Sequence, residues 1–253
     1  MPKPTNLNPA YRFAASIVRP ILMRVTKRDW SGQEHIPAAG GFLLCPNHIS
    51  YADPLLFAHF AFDSGREAYF LAKEAVFRVP VVGKIITKAD QIPVYRESGQ
   101  ASNAFRAAVS AVQAGKCVAI YPEGTLTRDP DLWPMTGKTG AARVALETRC
   151  PVIPVAQWGA QDILMPYAKR IRLFPRKRIQ MRAGPPVDLT DLYDQPLTAP
   201  VLREATERIV AAITRELEVL RGEQAPAVRF DSRTAGVPRI GKYDPTHHNK
   251  ETT

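Results

Sequence analysis

The chain has 253 residues, of which 45% are hydrophobic and 23% charged, and its 34 Lys and Arg against 24 Asp and Glu give a net charge of +10. These proportions exclude wholesale disorder, a collagen-like repeat and a coiled coil, and they predict one large globular domain or one domain with a tail. Six basic residues lie in residues 1–28 and seven in residues 169–182, and neither stretch contains an acidic residue. Such focused charge indicates an anionic partner: a phospholipid bilayer, a nucleic acid or a charged substrate.

The cysteines and the apolar runs bear on the cellular setting. Cys45, Cys117 and Cys150 lie singly in or beside apolar segments, which predicts free thiols in a reducing, cytoplasmic environment. No run reaches the roughly 18 apolar residues of a membrane-spanning helix, and no signal-peptide core is evident. The sequence therefore predicts neither a transmembrane span nor export.

The first predicted element is a basic amphipathic helix over residues 11–28, in which apolar residues recur at spacings of three and four. Asn8 and Pro9 suit the cap and the first helical position, and Pro20 is expected to kink the helix or to split it in two. Such a helix can lie in a bilayer interface or pack on the rest of the protein, and the sequence leaves both alternatives open.

Short apolar runs then alternate with helical patterns. Strands are predicted over residues 41–45, 68–71, 92–95, 117–121, 152–156 and 179–183. Helices are predicted over residues 54–62, 100–114, 139–148 and 200–220. This alternation predicts an α/β fold with a mixed, largely parallel central sheet flanked by helices, and ligands at the loops that follow the strands. We divide the chain into an N-terminal amphipathic segment, a catalytic domain and an extended tail, over residues 1–29, 30–221 and 222–253.

The candidate catalytic pair lies in the loop after the first of these predicted strands. His48 and Asp53 are five residues apart, and Asp53-Pro54 is a typical helix start with Asp as the cap. One Asp53 oxygen is expected to bind backbone amides while the other accepts from one His48 nitrogen, leaving the second nitrogen as a base. No protein nucleophile is apparent, so the base would activate a hydroxyl of a substrate or of water, in direct transfer or in hydrolysis.

Candidate anion-binding groups follow other strands of the predicted sheet. Residues 122–124 form a tight turn whose amides can hold an anion, and Arg128 lies in the same loop. Arg96 ends a strand and suits bidentate phosphate binding, while Lys73 and Lys138 would add point charges.

Four ordered blocks resemble the glycerolipid acyltransferases of the lysophosphatidic acid acyltransferase family. They are an N-H-x-x-x-x-D block, a strand ending in Arg, a P-E-G-T turn and an apolar strand with a central Pro. These blocks contain Asn47, His48 and Asp53, then Arg96, then residues 122–125, and then Pro154. The similarity covers roughly residues 30–185. The family often has Arg directly after the P-E-G-[TS] turn, where this chain has Leu126, with Arg128 two residues later.

The resemblance implies an acyltransferase mechanism. His48 would take the proton of a glycerol hydroxyl, Asp53 would orient His48, and the alkoxide would attack an acyl thioester. The groups expected at the substrate phosphate are Arg96, Glu123, Gly124, Thr125, Lys73, Arg128 and Lys138. The donor would be acyl-coenzyme A or acyl carrier protein, with no metal or bound cofactor. The implied acceptor is lysophosphatidic acid and the product is phosphatidic acid.

The expected setting is the cytoplasmic face of a membrane, bound peripherally through its anionic surface. Within the acyltransferase class, glycerol 3-phosphate or another lysophospholipid or glycolipid remains an alternative acceptor. A nucleic-acid-binding protein is a remote alternative, since Phe174 alone interrupts the second basic stretch as a stacking aromatic and the His–Asp pair would have no role. A phosphatase or esterase using His48 to activate water is a third alternative.

Overall fold

The computed structural model describes residues 8–80, 82–94, 101–168 and 170–237. The strands are β1 Thr26–Ser31, β2 Phe42–Pro46, β3 Ala68–Lys73, β4 Ile92–Val94, β5 Cys117–Ala119, β6 Val152–Trp158 and β7 Lys177–Ala183. The helices are α1 Pro9–Val25, α2 Asp53–Asp63, α3 Glu74–Phe77, α4 Val82–Lys88, α5 Ala101–Gln113, α6 Gly140–Thr148, α7 Ala160–Ile163 and α8 Ala199–Arg221.

The strands form one seven-stranded sheet in the order β1-β7-β6-β2-β5-β3-β4. Neighbouring strands are parallel except β6 and β7, which are antiparallel. The predicted α/β class with a mixed, largely parallel sheet is thus confirmed. Because β2 and β5 are adjacent and parallel, the loops that leave their carboxyl ends meet at one edge of the sheet.

Both faces of the sheet are covered, as an apolar central strand requires. In β2, Leu43 and Cys45 pack into a core with α5, α6 and α8, whereas Phe42 and Leu44 pack into a second core with α2. Both cores are contiguous over many side chains, so the loop after β2 starts from a rigid base.

The N-terminal helix differs from its prediction in two respects. Asn8 caps it as expected, since its side-chain oxygen accepts from Ala10 N at 2.8 Å. The helix runs without a break through Pro20, so of the two expected effects of this proline, a kink or a split, the split does not occur. It ends at Val25 rather than at residue 28, because residues 26–31 pair with β7 as the edge strand β1.

One face of α1 packs on the protein and another is exposed. Tyr11 and Val25 are buried, and the Arg19 guanidinium lies 3.1 Å from Asp63 Oδ1. Phe13 and Ile17, four residues apart, remain 60% and 48% exposed. Within the described ranges, none of the helices combines the length and the apolar character that crossing a bilayer requires.

The first part of the segment after α8 lies against the domain. Thr136 N donates to Phe230 O at 3.0 Å, Arg229 contacts Glu207 of α8, and Val237 is buried. The remaining residues of the predicted tail, 238–253, lie outside the described residues, as does Arg96 in the stretch 95–100.

Candidate active site

The His48–Asp53 pair forms as predicted, with the details changed. His48 lies two residues after the end of β2 and Asp53 begins α2, so the intervening loop brings the two side chains together. His48 Nδ1 lies 2.8 Å from Asp53 Oδ2, and the same oxygen accepts from Ile49 N at 2.7 Å and Ser50 N at 2.8 Å. The expected sharing between two oxygens is therefore wrong: Oδ2 takes all three contacts, because the amides come from the loop before Asp53 and point at the same side.

Burial and hydrogen bonding shift the pKa of Asp53 in opposite directions. The residue is fully buried, which raises the pKa of its carboxyl, while the contacts from His48, Ser50 and Ile49 favour the charged form and lower the pKa. A buried carboxylate that faces an imidazole stabilises positive charge on the ring. The arrangement suits a histidine that becomes protonated during a reaction.

The other ring nitrogen of His48 is available for chemistry. The side chain is 16% exposed, and among the described residues Nε2 makes no hydrogen bond. The imidazole also stacks on the Tyr121 ring, with centroids 4.1 Å apart and planes at 27°. Tyr121 was not singled out in the sequence, although its position directly before Pro122 was the available signal. The Asp53 contact and the Tyr121 stack together fix the orientation of the imidazole ring.

Asn47 anchors the catalytic loop to the neighbouring strand β6. Its side-chain oxygen accepts from Gln157 N at 2.8 Å, and its Nδ2 donates to Gln157 O at 3.1 Å. An amide side chain thus pairs with the backbone of β6 as another strand would. This role explains why an Asn directly before the histidine suits the block.

Glu123 is a buried residue that contacts the backbone of the His48 loop. The residue is 2% exposed, and its carboxyl accepts from His48 N at 3.0 Å and from Met135 N at 3.1 Å. Since both oxygens face backbone donors, the carboxyl joins the loop after β2 to the loop after β5. Sequence reasoning placed Glu123 at the substrate phosphate and did not foresee these bonds.

Gly124 brings Lys138 to the turn after β5. Gly124 has a φ of +67°, and a Cβ there would lie 2.9 Å from Lys138 Cδ and 3.0 Å from Lys138 Nζ. Lys138 N also donates to Pro122 O at 2.7 Å. Only glycine combines this backbone conformation with so close an approach of the lysine. The structure therefore brings these two predicted anion-binding groups together.

Arg128 and Thr125 meet at Tyr167. Arg128 is 2% exposed, its Nε lies 3.4 Å from the Tyr167 hydroxyl, and that hydroxyl donates to Leu126 O at 3.0 Å. Thr125 also interacts with the hydroxyl of Tyr167. Thr127 N donates to His48 O at 2.7 Å, which connects this loop to the catalytic histidine.

Two predicted cations are not placed by these contacts. Lys73 is the last residue of β3, next to β5 in the sheet, so its backbone lies at the strand end as expected. Arg96 lies outside the described residues. In the part of the chain that the structure describes, no group of three or more His, Cys, Asp or Glu residues is arranged to hold a metal ion.

The Glu123 carboxyl leads to a prediction about folding. Burial raises the pKa of Glu123 to about 8 from the ordinary value of 4.5. The native state then binds this proton more tightly than the unfolded chain, so the free energy of unfolding falls as pH rises through that interval. We expect Glu123→Gln, which cannot titrate, to show a shallower fall in urea unfolding experiments. The control is Glu204→Gln at an exposed position of α8, and an unchanged slope in Glu123→Gln would contradict the prediction.

Taken together, the site places a histidine held by a buried carboxylate beside a turn that carries cationic side chains, an arrangement suited to activating a hydroxyl of an anionic substrate. The family comparison specifies the class. A family model described as acyltransferase matches residues 27–158, a little over half of the chain. The chain belongs to the acyltransferase family, which confirms the resemblance seen in its motifs.

Individual relatives point the same way. The chain is 26% identical over 194 residues to a 1-acyl-sn-glycerol-3-phosphate acyltransferase of Borreliella burgdorferi, covering 76% of this chain and 72% of the relative. It is 24% identical to the Bacillus subtilis protein of the same name, covering 74% and 86%. The crystal structure of the 1-acyl-sn-glycerophosphate (LPA) acyltransferase PlsC from Thermotoga maritima is similar in fold, with a TM-score of 0.64 at 22% identity over 85% of this chain and 81% of that one.

Proposed function

We propose that this acyltransferase moves a fatty acyl group from an acyl thioester to the free hydroxyl of lysophosphatidic acid, giving phosphatidic acid. The observation that carries the proposal is the 2.8 Å contact of His48 Nδ1 with Asp53, which leaves Nε2 as the base. The names of the two curated relatives support lysophosphatidic acid as the acceptor.

The chemistry proceeds by direct transfer. His48 Nε2 takes the hydroxyl proton of the acceptor while its oxygen attacks the thioester carbonyl carbon. The tetrahedral intermediate collapses, the C–S bond breaks, and the leaving sulfur receives the proton from the imidazolium. Asp53 stabilises that imidazolium through Oδ2. A thioester is already activated, so neither a covalent enzyme intermediate nor a metal or bound cofactor is required.

The phosphate of the acceptor would lie at the turn after β5. Gly124 and Lys138 adjoin there, Thr125 and Arg128 are close by, and Lys73 ends a neighbouring strand. Arg96 would complete the set. Glu123 acts through the loop: its carboxyl binds the backbone of His48, so its role is to position the base and not to contact an anion.

Because the proposed acceptor and product are membrane lipids, the enzyme would act at the cytoplasmic face of the bilayer as a peripheral protein. The exposed Phe13 and Ile17 on the basic helix α1 suit an interfacial position. Anionic lipids attract each nearby Lys or Arg by about 1 kcal/mol.

The decisive experiment is an acceptor panel. The purified chain is incubated with labelled acyl-coenzyme A or acyl carrier protein and with lysophosphatidic acid, glycerol 3-phosphate, another lysophospholipid or a glycolipid. We expect lysophosphatidic acid to yield phosphatidic acid. Analysis of the product then identifies the hydroxyl that was acylated. Preferential acylation of another acceptor would assign the alternative substrate, and release of free fatty acid alone would indicate hydrolysis.

Arg96→Ala is expected to raise the KM for the phosphorylated acceptor about tenfold or more, because a lost charge-assisted contact weakens binding in ground state and transition state alike. The KM for the acyl donor serves as the internal control. An unchanged acceptor KM would remove Arg96 from the phosphate site.

A further inference from the structure

The loop between α7 and β7 connects the active site to the N-terminal helix. We call residues 164–176 the α7–β7 loop; Lys169 lies outside the described residues. At its start, the Ser50 hydroxyl donates to Leu164 O at 2.7 Å. At its end, Arg176 Nη2 donates to Met23 O at 2.9 Å and Thr26 O at 2.6 Å. The loop therefore runs from the His48–Asp53 segment to the carboxyl end of α1.

Large apolar side chains of this loop are exposed. Phe174 is 73% exposed, Ile171 62%, Met165 47% and Leu173 39%. A cluster of four such side chains on one short loop is costly in water and marks an interaction surface. The exposed stripe of α1 lies on the element to which the loop is hydrogen-bonded.

The charges on the same loop identify the partner. Arg170 and Arg172 alternate with the exposed apolar residues, and both are exposed. No acidic residue occurs in residues 164–182 or in residues 1–28. Alternating apolar and basic side chains suit the interface of an anionic bilayer, where the apolar groups enter the acyl region and the guanidinium groups reach lipid phosphates.

The exposed surface continues to the catalytic pair. Tyr51 lies between His48 and Asp53, is 58% exposed and contacts Tyr167 of the loop with ring centroids 6.5 Å apart. Leu55 in the first turn of α2 is 55% exposed. A bilayer that receives the α7–β7 loop would therefore also meet exposed side chains that lie next to His48 and Asp53 in the chain.

We propose that the α7–β7 loop inserts into an anionic bilayer beside α1 and turns the His48–Asp53 site toward the lipid surface, so that the acceptor enters without leaving the membrane. The insertion stands on the loop itself, while the delivery of the acceptor rests on the proposed function. Attachment to the bilayer through both α1 and the α7–β7 loop would fix the orientation of the protein on the membrane, whereas a single interfacial helix would not.

Insertion is tested with a fluorescent label. All three native cysteines are buried, and burial raises the pKa of the Cys117 thiol to about 12, so an introduced exposed cysteine is labelled selectively. Phe174→Cys carries an environment-sensitive dye, and Val228→Cys, 84% exposed in residues 223–237, is the matched control.

With phosphatidylglycerol-containing vesicles we expect an intensity rise of about threefold or more and a blue shift at position 174, and neither at position 228. Binding of the protein to the vesicles without a change at position 174 would overturn the proposal. A change produced by coenzyme A without vesicles would also overturn it and would assign the loop to the donor's phosphates.

A second comparison uses the double variant Ile171→Ser/Phe174→Ser with Val219→Ser/Val228→Ser as the matched control; all four side chains are exposed. We expect the loop variant to bind anionic vesicles about tenfold or more weakly. The ratio of its rate on vesicle-embedded acceptor to its rate on a monomeric short-chain acceptor should fall by a similar factor. An unchanged ratio would contradict the proposal that the loop helps to deliver the acceptor from the bilayer. Absence of transfer by the unsubstituted protein to any acceptor would refute the proposed function, and the fluorescence result would still decide insertion.

Discussion

His48→Ala is expected to lower kcat for acyl transfer by about a thousandfold, because the acceptor hydroxyl loses its proposed base and general-base catalysis contributes about 10²–10⁴-fold. The side chain of His48 is 16% exposed, and its main ring contact is the stack on one face of Tyr121. Truncation to Ala removes this contact at the protein surface, and we expect the fold to stay intact. The measurement is the steady-state rate of phosphatidic acid formation, with circular dichroism as the test of folding.

The matched control for this variant is His35→Ala. His35 lies in a short helical turn at residues 33–35, on the stretch between β1 and β2. We expect this variant to keep the unsubstituted rate. A folded His48→Ala protein with a near-normal rate would eliminate His48 as the base and with it the direct-transfer mechanism.

Asp53→Asn should lower kcat by about a thousandfold to ten-thousandfold while changing KM little. The amide of the same shape removes the negative charge that stabilises the imidazolium. Its nitrogen would also face Ile49 N and Ser50 N as a donor, unless the side chain turns and offers its oxygen to them. In either orientation the negative charge is lost, so we expect the substitution to lower kcat and not to raise KM.

Asp53→Ala separates the structural part of this role. It leaves the amides of Ile49 and Ser50 without an acceptor, and each buried unsatisfied donor costs about 1–3 kcal/mol. We expect a clear loss of stability in urea unfolding for Asp53→Ala and a smaller one for Asp53→Asn. Asp29→Asn on the edge strand β1, where Asp29 pairs with Arg178 at the surface, is the control for both measurements. A rate unaffected by Asp53→Asn would show that His48 needs no charged partner.

Most of the sheet was predictable because its strands are short apolar runs bounded by helices. The prediction failed at β1, whose polar residues Lys27 and Arg28 were assigned to the preceding helix. An edge strand buries one side only and carries charges on the other, so its pattern resembles the end of a basic helix. Pairing with β7, about 150 residues later in the chain, decides its conformation.

Pro20 shows a different limit of local reasoning. Proline inside a helix removes one backbone hydrogen bond and crowds the preceding turn, which predicted a kinked or a split helix. The packing of Tyr11 and Val25 on the domain and the Arg19–Asp63 ion pair act on both sides of Pro20. These tertiary contacts stabilise a continuous helix through the proline.

The candidate site divides in the same way. His48, Asp53, Gly124 and Lys138 were found from their order along the chain, because each follows a strand and parallel strands deliver such residues to one edge of the sheet. The Tyr121 stack and the bonds of Glu123 were not foreseen, since they join the loops after β2 and β5. Nothing in a single segment shows which backbone amide a distant carboxyl will meet.

The chain's own order of residues thus determined the fold class, the pairing of His48 with Asp53 and the net basic character, because each depends on local patterns or on composition. Only the tertiary structure decided that Asp53 uses one oxygen for all its contacts and that Glu123 supports His48 from below. It also showed that the second basic stretch begins on a loop tied to α1 and to the active site. The physical reason is that these hydrogen bonds and this burial depend on segments that the sheet brings together. Because the segments are far apart in the sequence, no local pattern predicts their contacts.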